Sequence, residues 1–236
     1  MEQFTVKRFY KRASAEETDL GFQVMLDGRP IKTQGGQLQV VQGRGLAERL
    51  AEEWEGQGEE IDPSHFAFRD MVDYAIDIIP AAREETVGKL LRYVETDTLC
   101  YRADPDEPLW KRQMEVWEPL LCEIEQREGV QLERVSGVIH RAQSAEALAR
   151  LRARLSGMDA FTLAALEQMA SLAASLCIGL AALEEDADGA SLWDAANLEE
   201  DWQVEQWGSD EEAAKRRAKR KEDFLKAMEF ARLARG

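Results

Sequence analysis

Four carboxylates crowd one short stretch, Glu95, Asp97, Asp104 and Asp106 in ETDTLCYRADPDEP. Hard carboxylate oxygens are the donors a divalent cation prefers, and a cation held there would support a metal-dependent hydrolase. A helix end followed by a turn accounts for the same residues, and the DPDEP run at 104 to 108 favours that reading. Cys100 lies inside the group as a candidate nucleophile. Flanked by Leu99 and Tyr101, it reads instead as a small core residue. His65 and His140 are the only histidines. They could join a His–Glu metal pair or a Ser–His dyad only through the fold, because no HExxH, GxSxG or P-loop pattern is present. The glycines of GGQLQVVQGRG at 35 to 45 lack the spacing of a phosphate cradle and read as turns. The expectation is no enzyme, no catalytic residue, no bound metal and no cofactor.

A second pattern points to binding. Residues 184 to 212 hold twelve Asp and Glu and no Lys or Arg, and KRRAKRK at 215 to 221 is their complement. Charge runs are usually solvated and partly paired. Here Trp193, Trp202 and Trp207 lie inside the acidic run, and Trp beside charge is the composition of recognition hot spots.

The elements that position these groups follow from periodicity. Residues 4 to 41 alternate with a period of two, with Phe22, Val24 and Leu26 leading to Asp27-Gly28 and a return at Ile31. Asp-Gly tolerates positive φ and marks a tight hairpin, so a small antiparallel sheet is expected. Leu46, Leu50 and Trp54 then form a helical stripe to lie on that sheet. A further helix carries Met71, Val72, Ala75, Ile76 and Ile79, with Asp70, Asp73 and Asp77 on its wet side and Pro80 closing it.

From there the chain reads as helical. A helix spans 81 to 97, and the next carries a seam of Trp110, Met114, Trp117, Leu121 and Ile124, is kinked at Pro119 and stops at Gly129. Residues 130 to 135 read as a short strand or an extended link. Ser144 starts another helix, which ends at Gly157. The most apolar run, Asp159 to Leu183, reads as one buried central helix capped by Asp159, with Glu167, Ser171, Ser175 and Gly179 as a line open to close packing. It is too short and too interrupted to cross a membrane. Ser191 is the expected cap of a helix running from Leu192 to Trp207. Ser209 and Glu212 form a capping box for the last helix. The class is α+β, an amino-terminal sheet-plus-helix domain at 1–80 and an all-α bundle at 81–236.

A net charge of −16 argues against a nucleic-acid partner. Cys100, Cys122 and Cys177 are odd in number and widely spaced, which fits reduced thiols. No secretory apolar run opens the chain, so a bacterial cytoplasmic location is expected.

Six ordered blocks resemble the assembly chaperones of the F-type ATP synthase alpha subunit, the Atp-twelve family: KRFYK at 7 to 11, LDGRPIKTQGG at 26 to 36, AEEWEGQ at 51 to 57, LLRYVETDTLCYR at 90 to 102, WEPLL at 117 to 121 and LEEDWQVEQWG at 198 to 208. The resemblance implies orthogonal packing of the helical bundle. It implies a holder that binds the free alpha subunit, shields its beta-facing surface and releases it into the hexamer, monomeric when free and without membrane insertion. It implies that eukaryotic relatives are mitochondrial. Recognition is expected at Glu199, Glu200, Trp202, Glu205, Trp207 and Glu212, with at least one of the two Trp in the core. Trp54, Asp97 and Tyr101 are expected to be structural.

Overall fold

The computed structural model describes residues 6–137, 141–208 and 210–236. The chain forms two compact units, one made of Met1–Ala82, Asp159–Ala165 and Glu229–Gly236, the other of Arg83–Met158 and Leu166–Met228.

The first unit opens with β1 (Val6–Lys7), β2 (Ala13–Thr18), β3 (Gly21–Leu26), β4 (Arg29–Pro30), β5 (Val40–Val41), α1 (Arg44–Glu55), β6 (Glu60–Ile61) and α2 (Ala67–Asp73). β3 is the organising strand and pairs antiparallel with β2, β4 and β5, while β1 pairs with β6. Its hairpin into β4 has Met25 opposite Pro30 and Leu26 opposite Arg29. Asp27 and Gly28 occupy the turn at φ 49° and 78°, the mirror-image geometry that suits the right-handed twist of the strands. The Asp27 carboxylate accepts the N–H groups of Lys11 and Arg12, each at 3.0 Å, and these bonds hold it below the usual carboxylate range. β2, with sequence ASAEET, carries almost no apolar signal because the strand is largely half-buried or exposed.

α1 lays Leu46, Leu50 and Trp54 into the core of this unit. Trp54 stands between Tyr10 and Phe66, with ring centroids 5.7 and 4.6 Å away, and its carbonyl accepts the Tyr10 hydroxyl. The expectation that Asp73 and Asp77 face water is corrected. Asp73 is buried and accepts from Gln39 Nε2 at 2.6 Å and Gln34 N–H at 3.0 Å. Asp77 accepts from Thr33 Oγ1 and Gly35 N–H, both at 2.7 Å. These two acids hold the glycine-rich loop, whose backbone would otherwise lack partners. A Cβ on Gly35 would fall 2.6 Å from the Asp77 carboxyl carbon, so the loop needs glycine there. Asp70 is exposed.

Pro80 does not close the helix. A π-helical turn at Tyr74–Ile78 leads into α3 (Ile79–Glu95), with Ile79 N–H bonded to the Tyr74 carbonyl. Pro80 directly follows that widened turn, and the helix runs on through it without a residue 80 N–H bond. The non-helical residue is Ala82, at φ −113° and ψ 20°.

The second unit continues through a 3-10 turn at Thr98–Cys100, β7 (Tyr101–Arg102), α4 (Pro108–Glu128), β8 (Val135–Ser136) and α5 (Ala145–Ser156). β7 and β8 pair in parallel. α4 passes through Pro119 and ends at Gly129 in the left-handed region, φ 66°. Trp117, Leu121 and Ile124 of its seam are buried, and the Trp117 indole N–H donates to the Ala195 carbonyl at 2.7 Å. Ser144 caps α5 through Ala147 N–H.

The apolar run is not one helix. It forms α6 (Ala160–Ala173) and α7 (Leu176–Ala182), broken at Ala174, φ 48°. The Ser175 hydroxyl accepts Ile178 N–H at 3.0 Å, which makes it the cap of α7, and donates to Asp97 Oδ1 at 2.7 Å. Asp97 Oδ2 accepts Cys177 N–H at 3.0 Å, and Oδ1 also accepts Leu99 N–H at 3.1 Å. The Ala174 carbonyl accepts Thr98 N–H and the Thr98 hydroxyl. A Cβ on Gly179 would lie 2.8 Å from Leu166 Cδ1 and 3.6 Å from Ala170 Cβ, so glycine there lets α7 fold back against α6. The expected line from Glu167 through Ser171 and Ser175 is not kept, because the helix breaks at Ala174 and Ser171 is exposed.

Beyond the acidic exit come α8 (Gly189–Ala196), α9 (Leu198–Trp207) and α10 (Glu211–Ala234). Asp188, not Ser191, caps α8, accepting the N–H groups of Ala190 and Ser191 and the Ser191 hydroxyl. The expected single helix from Leu192 to Trp207 is interrupted at Asn197, whose Nδ2 donates to the Trp193 carbonyl at 2.8 Å. Ser209, half of the expected capping box, lies outside the described residues; Asp210 accepts Ala213 N–H at 3.0 Å in the capping position.

Two outcomes follow for stability. Asp97→Asn places an amide against three donors, and urea unfolding should show a loss of about 3 kcal/mol; a loss under about 1 kcal/mol would remove Asp97 from its organising role. For Asp27, whose folded pKa is depressed, the contribution is present above its unfolded value and is lost as pH falls through the folded one. The acid limb of the melting-temperature profile should therefore flatten in Asp27→Asn, and an unchanged limb would contradict the assignment.

Candidate docking surface

α9 and the first half of α10 border an open cleft of ≈ 580 Å³. α9 contributes Glu200, Val204 and Trp207, and α10 contributes Ala214, Arg217 and Ala218. The sequence builds this cleft by default. α9 has no continuous apolar stripe, so only Leu198 is buried along it, and α10 presents Ala213, Ala214 and Ala218 where larger residues would fill the space.

Of the three Trp in the acidic run only Trp193 joins the core, so the expectation that Trp202 or Trp207 would do so is corrected: α9 buries only Leu198. Trp193 is fully buried, 5.6 Å from Phe224 between ring centroids. Trp202 is half-buried with the Arg112 guanidinium 5.9 Å from its ring centre. Trp207 is 80% exposed at the end of α9, and Val204, one turn earlier, is 36% exposed. Trp207 and Val204 together make a small exposed apolar patch on the cleft.

The acids separate in the same way. Glu199 Oε1 accepts a 2.7 Å bond from the buried Gln113 Nε2, and lost hydration pushes its carboxyl up despite that bond. Glu205 pairs with Arg112 at 2.7 Å, and the Arg112 bond holds it below the usual range. Glu212 pairs with Arg216 on its own helix at 2.8 Å. Glu200 lines the cleft and has no ion-pair partner among the described residues. Of the basic run, Arg217 binds Asp201 and Lys221 binds Asp194, while Lys215 and Arg216 pair within α10. The expected recognition residues are thus divided. Glu200 and Trp207 share the cleft, whereas Glu199, Trp202, Glu205 and Glu212 are engaged elsewhere.

Alanines of α10 and Val204 complete the surface, and the sequence reading passed over the alanines. Their one legible signal was the spacing of Ala214 and Ala218 on one helical face.

The carboxylate stretch does not assemble a metal centre. Asp97 is buried with both oxygens engaged, Glu95 is half-buried, and Asp104 and Asp106 are exposed. Among the described residues no group of three or more His, Cys, Asp or Glu could hold a metal ion. Burial and the nearby Asp97 charge push the Cys100 and Cys177 thiols up, so neither is a ready nucleophile. His65 is exposed, 3.8 Å from Asp62, and His140 lies outside the described residues. Tyr101 pairs with Val135 across β7 and β8, and its hydroxyl donates to the Glu95 carbonyl. No helix among the described residues is long and apolar enough to cross a membrane.

A family model described as ATP12 chaperone protein matches residues 7–125. The Schizosaccharomyces pombe protein named atp12, mitochondrial, is 28% identical over 225 residues, covering 90% of this chain and 77% of that one. The solved structure of Atp12 from Paracoccus denitrificans is 32% identical with a TM-score of 0.89, over 97% of this chain and 98% of that one. The Atu1473 protein of Agrobacterium tumefaciens is 36% identical with a TM-score of 0.90, over 97% of this chain and 86% of that one. The two solved structures share the α+β fold of this chain, and the Agrobacterium protein is titled a putative chaperone. The chain belongs to the ATP12 chaperone family.

Proposed function

We propose that this chain is an assembly chaperone that holds the free alpha subunit of the F-type ATP synthase soluble head, covers its beta-facing surface and yields it to the growing hexamer. The observation that carries the reading is Trp207, 80% exposed beside Val204 in a cleft rimmed by Glu200, which makes no ion pair among the described residues, in a chain of a chaperone family. An unassembled subunit exposes apolar interface, and a partner covering it lowers the concentration of aggregation-prone species by mass action. In this reading Trp207 is the apolar anchor and Glu200 orients a basic patch on the client. Glu199, Trp202, Glu205 and Glu212 fix the two helices, and no nucleotide or metal takes part. The site of action is the bacterial cytoplasm, with the free protein a monomer.

Release needs no chemical energy if beta buries more of the alpha surface than the chaperone does. The handoff is then competition between two interfaces, which requires moderate affinity.

Co-expression with the alpha subunit of the same organism, with and without beta, tests the role. Capture that is lost when beta is supplied is the expected result; no capture, with alpha soluble alone, would overturn it. Trp207→Ala should weaken capture by tenfold or more, on the order of a hot-spot truncation, while changing unfolding free energy by less than about 0.5 kcal/mol. Glu199→Lys, which leaves the buried Gln113 amide unpaired, should instead lower the melting temperature. If Trp207→Ala loses capture only in proportion to stability, the residue belongs to the fold and not to the interface.

A further inference from the structure

A second open cleft, of ≈ 560 Å³, lies in the first unit and has the opposite electrostatic character. Its apolar lining includes Phe9, Leu26, Pro30 and Ile31, and its charged lining includes Arg29 and Lys32. Phe9 is 69% exposed, and its neighbours hold it there. Arg8 donates to the carbonyls of Tyr10, Glu55, Gln57 and Lys11 and pairs with Glu55 at 3.1 Å. The Tyr10 hydroxyl is tied to the Trp54 carbonyl. With residues 8 and 10 anchored inward, the ring between them is presented to solvent by construction.

The cations at this cleft lack counter-ions. Arg29 and Lys32 of the lining make no ion pair among the described residues and are exposed, and the same holds for Lys11 and Arg12, whose N–H groups meet the Asp27 turn beside it. The acid lining the cleft, Asp27, has its carboxylate turned to the Lys11 and Arg12 N–H groups. In a chain of net charge −16, whose basic run on α10 is largely paired, this is a local excess of uncompensated positive charge beside an exposed aromatic.

We propose that this cleft is a second docking site, one that takes an acidic segment of a partner polypeptide carrying a large apolar side chain. Phe9, Pro30 and Ile31 receive the apolar group while Arg29 and Lys32 engage flanking carboxylates. Charge complementarity selects the occupant. A few cations act on a short acidic segment within a Debye length of roughly 8–10 Å, whereas an extended polyanion would feel the repulsion of the whole acidic chain. This site is independent of the α9–α10 cleft and of the identity of the client proposed for it.

Fluorescence anisotropy with the full chain tests the assignment, using a short labelled Glu/Asp-rich peptide with one central Trp. Controls replace that Trp by Ala, or the acids by Lys. The acidic Trp peptide should bind, weakening severalfold between roughly 50 and 300 mM salt, and both control peptides should bind at least about tenfold more weakly, one full decade of affinity. Arg29→Glu with Lys32→Glu, and separately Phe9→Ala, should each weaken binding by a similar factor, while Trp207→Ala leaves it unchanged. All of these side chains are exposed, and a retained melting temperature checks that the variants are folded. Binding that survives the charge reversal, or that is lost in Trp207→Ala, would overturn the proposal. So would tighter binding of a single-stranded oligonucleotide than of the peptide.

Discussion

The second unit depends on one buried carboxylate. Asp97 is fully enclosed, a position that costs free energy unless each oxygen is bonded. Its bonds go to three places at once: Leu99 in its own turn, the Ser175 hydroxyl, and the Cys177 N–H at the start of α7. A helix start leaves N–H groups without partners, and here those groups are buried. Ser175 and Asp97 together satisfy them, so the chain can stop α6, turn through Ala174 and begin α7 in the interior. Without that carboxylate the lowest-energy course for residues 160 to 182 would be the straight helix that their propensities favour.

The same economy of polar partners shapes the first unit. Asp73 and Asp77 bond the Thr33–Gln39 loop, and Glu53 accepts Phe68 and Arg69 N–H at the start of α2. Short strands and a glycine-rich loop bury little apolar area by themselves, so acids from neighbouring helices supply what the strands lack. The outcome is a fixed surface, including the segment that presents Phe9. Preorganisation of this kind lowers the ordering cost that a docking partner would otherwise meet.

Local chemistry made part of this legible. The Asp27-Gly28 hairpin, the α1 stripe ending at Trp54, the α4 seam, the Ser144 cap and the Gly129 stop are each decided by residues within a few positions of one another. What was not legible depended on partners far along the chain. Nothing near Ser175 signals that residue 97 will meet it, so a uniformly apolar run reads as one helix. Asp73 and Asp77 sit where amphipathic patterning expects water, because their loop partners lie about forty residues earlier. Ser191 and Asp188 are both good caps, and only the geometry chooses between them. At the α9–α10 cleft, composition singled out the Trp-bearing acidic segment, but not which Trp would go to the core and which would be left outside.

That last choice has a physical logic. Trp193 of α8 packs against Phe224, mid-way along α10, so the buried aromatic of this segment ties α8 to α10 while Trp207 projects at the far end of α9. Burying Trp207 would require α9 to carry an apolar stripe, and its sequence instead alternates acids and amides around the helix. The exposed ring is therefore stable in place without being satisfied. A partner gains the burial of Trp207 and Val204, an apolar gain of a few kcal/mol at about 25 cal/mol per Å², and meets little competing reorganisation. A surface of that size favours an encounter that is specific but reversible, as the proposed role of a temporary holder would require.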